Sequence, residues 1–183
     1  MAMKPGERRL QILQTLAAML ENPRSEKVTT AALAAKLDVS EAALYRHFAS
    51  KAQMFEGLIE FVETTIFTLA NKVQSAETDG VAQAEQIVSM LLGFAQKNPG
   101  MTRVLVGDAL VNEDERLQAR MNQMYDKLEA TLRQSLRTAQ MANAWHGDPS
   151  SDAAALFAFV MGRWILFAKS GFKRLPQDGW EGQ

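Results

Sequence analysis

Apolar residues recur along this chain at intervals of three and four, the period of a helix buried along one stripe, and no segment keeps the alternation of a strand. Leu13, Leu16, Ala17 and Leu20 stripe a first helix over residues 7–21, stopped by Asn22-Pro23. Thr30 is placed to N-cap a short helix carrying Leu33 and Leu37, and Ser40 to cap the next. Ser50 caps a long one bearing Met54, Phe55, Leu58, Val62, Ile66, Leu69 and Val73, which Thr78-Asp79-Gly80 breaks. A fifth helix, with Ile87, Leu91, Phe94 and Ala95, ends at Asn98-Pro99-Gly100, and a short one follows over residues 102–111. Residues 114–141 read as a long helix with Leu117, Met121, Met124, Leu128, Leu132 and Leu136 on one face. Gly and Pro mark residues 145–151 as a loop. Asp152 then opens a last helix that is apolar nearly all round: Leu156, Phe157, Phe159, Val160, Trp164, Ile165 and Phe167. A helix without a polar face must be covered, by its own core or by another subunit. The pattern predicts an all-α chain in which a three-helix head over residues 1–51 leads, through the fourth helix, into a larger helical body over residues 52–183.

Within the head, residues 30–36, Leu37-Asp38-Val39 and residues 40–48 form a helix, a tight turn and a second helix. Leu33, Leu37, Val39 and Leu44 are spaced to make the small core that sets the two helices at an angle. The second helix begins Ser40-Glu41-Ala42-Ala43, whose small side chains let it approach base edges, an alanine methyl meeting a thymine methyl. Tyr45, Arg46, His47 and Phe48 follow as a polar-aromatic cluster, the first three within reach of phosphates. Lys51 stands at the next helix N-terminus, where free N–H groups also attract anions. The pattern points to duplex DNA, where a bare helical hairpin would show only solvated polar groups at these positions.

Charge sharpens that picture. The formal net charge is −1 over 183 residues, which by itself argues against a nucleic-acid binder. Residues 1–51, however, hold eight Lys and Arg against five acids, a balance of +3, while the remainder holds 12 against 16, a balance of −4. A basic head on an acidic body fits a DNA-binding head, since phosphate contacts need local charge only.

The stretch TTAALAAKLDVSEAALYRHFASKAQMF closely resembles the helix-turn-helix of TetR-type regulators, with its Thr at the start of the second helix, its Tyr-x-His-Phe ending and its Lys opening helix four. The resemblance implies a TetR-like fold with a dimerising, regulatory body. It implies base or groove contacts from Thr30, Ser40, Ala42 and Ala43 and phosphate contacts from Tyr45, His47 and Lys51. Asp38 stands where that family usually has Gly, a position Asp tolerates in a left-handed turn. The arm KPGERR is sparse in charge for DNA contacts.

The body segments LLGFAQKNPGMTRVLVGDAL and RLQARMNQMYDKLEATLRQSLR resemble the nucleoid-occlusion branch of the same family, over residues 10–174 and most thinly at 140–151. That implies a protein that binds dispersed chromosomal sites and, when DNA-bound, antagonises assembly of the division GTPase FtsZ through its acidic tail. Relatives carry a further short segment beyond Trp180, where this sequence runs out. From the residues alone, a partner surface is suggested by Gly93 in mid-helix, where it costs about 1 kcal/mol relative to Ala. Lys97 and Asn98 follow at the helix end, and Phe61 and Met90 are apolar groups near them. Internal packing of Gly93, with Phe61 and Met90 in the core, is the plainer reading of those residues; the resemblance favours a partner surface.

Other chemistry is scarce. The absence of cysteine excludes disulfides, a thiolate metal site and a Cys nucleophile. His146-Gly147-Asp148 has no second His or carboxylate at ligand spacing and reads as a solvated loop. Glu113-Asp114-Glu115 reads as an acidic helix start favoured by the dipole. No Gly-rich phosphate loop or nucleophile setting is present, and the ten Met sit at core spacings, so no enzyme, metal or cofactor is expected. No signal peptide is evident, and the apolar run 153–168, interrupted by Arg163, is shorter than the roughly 18 residues a span needs, so a cytoplasmic, nucleoid-associated protein with no membrane partner is expected. Two functions are carried forward: a DNA-activated FtsZ antagonist, and a ligand-responsive TetR-type repressor. The latter needs an enclosed pocket of about 300 Å3 or more in the body; no small-molecule ligand is expected, the almost wholly apolar buried side disfavouring a polar inducer but not a greasy one.

Overall fold

The structure, a computed structural model, describes residues 5–22 and 27–180. Its helices are α1 (Pro5–Leu20), α2 (Thr30–Lys36), α3 (Glu41–Tyr45), α4 (Lys51–Ala76), α5 (Gly80–Lys97), α6 (Pro99–Leu105), α7 (Glu115–Met141) and α8 (Pro149–Lys169), with a 3-10 turn at Asp108–Leu110. The described residues contain no strand. The expected order of elements is reproduced, and the differences lie at helix ends: α3 stops at Tyr45 rather than Phe48, the expected short helix over residues 102–111 is Pro99–Leu105 followed by a separate 3-10 turn, and three starts shift. Thr29, not Thr30, caps α2, its hydroxyl accepting from Ala32 N at 3.1 Å. The last helix opens at Pro149 under an Asp148 cap, three residues before Asp152, because Pro at the first helical position costs no hydrogen bond. Pro99 opens α6 in the same way, so the expected stop is a one-residue break at Asn98 and the short helix begins ahead of Thr102. Pro23 of the expected first stop lies outside the described residues.

The body is built around α5. Ile87, Val88, Leu91, Leu92 and Ala95 are fully buried, enclosed by Met121, Met124, Leu128 and Leu132 of α7, Ile66 and Ala70 of α4, and Val160 and Trp164 of α8. The Trp164 indole N–H, which needs a partner when buried, donates to the Leu91 carbonyl at 3.1 Å. Helix α4 runs from the head into the body, and its Glu63 receives Lys127 (2.6 Å) and Arg120 (3.4 Å) from α7, which hold its carboxyl below the usual range. In α1 the inner stripe is Ile12, Leu16, Ala17 and Leu20, with Leu13 only half-buried.

Two glycines permit the tightest crossings. A Cβ on Gly80 would collide with the Ser135 carbonyl and Ala139 N of α7, and one on Gly100 with the Ala17 carbonyl of α1. Backbone cannot step aside as a flexible side-chain tip can. Gly100→Ala is therefore expected to destabilise the protein by about 1–3 kcal/mol in urea unfolding, although alanine is the better helix former. A loss under about 0.5 kcal/mol would show that the α1–α6 crossing yields.

Candidate functional site: nucleic-acid face and partner groove

The helix-turn-helix is fixed by local chemistry. Leu33 and Leu44 are buried, with Leu37 and Val39 packed beside them. Asp38 adopts φ 54°, the left-handed turn that its short polar side chain tolerates. Ser40 Oγ accepts from Ala43 N at 3.2 Å, fixing the start of α3, and the Thr30 hydroxyl donates to Glu41 Oε2 at 2.6 Å, tying α2 to α3. Helix α3 is only five residues, so Arg46 and His47 lie in the turn that follows. Glu41, Ala42, Tyr45 and Arg46 are exposed, and Ala43 and His47 half-buried.

One member of the expected cluster turns inward. Phe48 is 1% exposed, and the Arg9 guanidinium lies 4.1 Å from its ring centroid while donating to the His47 carbonyl. Arg9 of the sparse arm thus holds the recognition turn from behind, and Lys4 lies outside the described residues. Lys51 also differs from a freely offered phosphate ligand. Its ammonium sits 2.5 Å from Glu113 Oε1, with its side chain 21% exposed and that of Glu113 10%. Lys27 approaches the same carboxylate at 3.9 Å and donates to the Asn112 carbonyl. The expected acidic helix start therefore divides its labour: Asp114 caps α7, and Glu113 gathers two head lysines onto the body. Sequence spacing could not foretell a pair 62 residues apart.

On the body, Met90, Gly93, Lys97 and Asn98 share one surface groove of about 480 Å3 with Leu69, Val73, Phe94 and Gln177. Met90 is half-buried, Lys97 exposed, and the Asn98 amide donates to the Phe94 carbonyl at 2.8 Å. Phe61 is 43% exposed but falls outside this groove. It lines a neighbouring cleft between α1 and α4, with Leu10, Leu13, Leu58 and Met101, which meets the groove at Asn98. Gln177 is a groove residue that helical periodicity missed, since it lies outside any helix. No cluster of three or more His, Cys, Asp or Glu suited to a metal occurs among the described residues.

A capped helix-turn-helix in front of an all-helical body is the architecture of TetR-type DNA-binding regulators. Residues 25–58 match the bacterial regulatory proteins of the tetR family, and residues 78–183 match the SlmA-like, tetracyclin repressor-like C-terminal domain. Solved TetR regulators from Haloarcula marismortui (TM-score 0.76, 16% identity, 96% of each chain) and Thermus thermophilus (PfmR; TM-score 0.76, 19%, 92% of each) share the fold. The nucleoid occlusion factor SlmA of Alteromonas mediterranea is 48% identical, over 97% of this chain and 92% of its own length. That of Escherichia fergusonii is 47% identical, over 95% and 89%. The chain belongs to the SlmA family of nucleoid occlusion factors.

A DNA phosphate would compete with Glu113 for the Lys51 ammonium. Glu113→Gln is expected to raise affinity for duplex DNA about three- to tenfold whatever the sequence, read by fluorescence anisotropy across a salt series. Unchanged affinity would assign this ion pair only to holding head against body.

Proposed function

We propose that this protein is a nucleoid occlusion factor that acts as a homodimer, binds duplex DNA through the head, residues 1–51, and antagonises FtsZ assembly through the body, residues 52–183. Ala42 and Ala43 enter the major groove with Thr30 and Ser40 beside them, and Tyr45, Arg46, His47 and Lys51 hold the backbone. The body groove takes the acidic FtsZ tail, with Lys97 supplying the matching charge. No catalytic role is assigned, and the setting is the cytoplasm, in association with the nucleoid.

The single observation that carries the partner assignment is that Met90, Gly93 and Lys97 of α5 and its C-cap Asn98 line one open groove. A ligand-gated repressor is supported less well. Ile87, Val88, Leu91, Leu92, Met121, Met124, Leu128 and Trp164 fill the body interior, and the groove and its neighbouring cleft lie at the surface.

Dimerisation rests on α8. At 21 residues it is longer than the apolar run 153–168 and apolar enough to cross a membrane by length and composition alone, a test that a core helix of a globular protein also passes. Its inner face, with Phe157, Val160, Trp164 and Phe167, is committed to the core. The outer face presents Ala154, Ala158 and Gly162 between Phe159, Ile165 and Leu166, the last three 39–40% exposed. Small residues four apart let a second α8 approach closely, and α7 flanks the contact.

Light scattering on a sizing column is expected to give a dimer at micromolar concentration, with the two α3 helices about 34 Å apart, one duplex turn; a monomer would overturn this arrangement. Lys97→Glu should abolish FtsZ binding to the DNA-bound protein and leave DNA affinity unchanged, both measured on one preparation. Retained FtsZ binding would remove the groove from the mechanism.

A further inference from the structure

The chain beyond α8 forms a strap. Gly171 and Phe172, at φ 64° and 66°, turn it back, and Ser170 Oγ accepts from Lys173 N (3.1 Å) and Arg174 N (2.9 Å) to hold the turn. Arg163 Nε then donates to the Pro176 carbonyl at 2.9 Å and its Nη2 to the Asp178 carbonyl, one guanidinium gripping the strap on both sides of Gln177. Pro176 is buried, and the Trp180 ring rests 5.6 Å from that of Phe159. The segment is thus pinned before, around and after residue 177.

Gln177 is aimed at α5. A Cβ built on Gly93 would stand 3.1 Å from its Nε2 and 3.7 Å from its Oε1. The glycine therefore makes room for this amide, a reason supplied by the chain itself. Helix walls offer a peptide only side chains, because their backbone groups are spent within the helix. A side-chain amide carries donors and an acceptor together, which is what pairs with the N–H and C=O of an extended segment. The groove is also lined by the apolar Leu69, Val73, Met90 and Phe94, and Lys97 is the one charged side chain lining it among the described residues.

We propose that the strap, residues 171–180, is a wall of the partner groove, that Gln177 is a specificity-determining residue for an extended acidic peptide, and that Arg163 is the positioning residue that holds it. This rests on the groove being the partner site. The probe is a fluorescein-labelled FtsZ tail peptide titrated against the DNA-bound full chain.

Gln177→Ala should weaken binding about three- to tenfold, the loss of one or two amide hydrogen bonds. Gln177→Glu should weaken it further by facing the peptide's carboxylates with another. Gly93→Ala should weaken binding in the native background and add nothing in the Gln177→Ala background, since its effect passes through the displaced amide. Arg163→Met should act in the same direction and speed hydrogen exchange over residues 171–180, with Arg163→Lys intermediate. If Gly93→Ala keeps its full penalty without Gln177, or if Gln177→Ala binds as well as or more tightly than the native protein, the proposal is overturned. Lys97→Glu separates the two failures: loss of binding there with no effect at Gln177 sinks the strap alone, and no effect at either sinks the groove.

Discussion

The burial of α5 is the constraint on which the rest depends. An 18-residue helix with nine buried positions cannot exist in water, so α4, α7 and α8 are arranged to enclose it. Trp164 shows how far the enclosure goes, its indole N–H reaching the backbone of α5 itself. Once α5 is fixed, the Asn98 break directs α6 under α1, and Gly100 lets the two backbones meet. The head therefore has no independent seat: it rests on a helix whose position the body core dictates.

That dependence explains why the seam between head and body is polar as well as close. Arg103 donates to the carbonyls of Leu20 and Asn22, at the end of α1, and Glu113 collects Lys27 and Lys51. An apolar seam of the same extent would weld the two parts together. The lysines and the arginine of this seam hold the head in register through groups that a polyanion can also satisfy.

How much was legible in the sequence follows from the range of each interaction. Caps, stripes and the αL turn at Asp38 are local, and Ser40 and Ser50 cap the helices they were expected to cap. Boundaries shifted where a second capping residue stood nearby, Thr29 before Thr30 and Asp148 before Asp152; the residues passed over are engaged elsewhere, Thr30 by Glu41 and Asp152 by Trp145. Met90, Gly93 and Lys97 fell together because one helix face carries them, whereas Phe61, a helix away, did not. Phe48, Lys51 and Gln177 were beyond local reading. Their surroundings are set by Arg9, Glu113 and Gly93, tens of residues distant, and no period in the sequence encodes such meetings.

The continuity of α4 gives this molecule a mechanical property. Lys51 heads that helix in the DNA-binding part, and Leu69 and Val73, on the same rod, line the groove. Leu69 stands 18 residues along, about 27 Å at 1.5 Å per residue, so a five-degree tilt about the head end would carry it roughly 2 Å sideways. That is more than half the width of a methyl group. A helix running unbroken through both parts is thus a lever from the head to the groove wall, and a tilt of the head against the body changes how wide the groove stands.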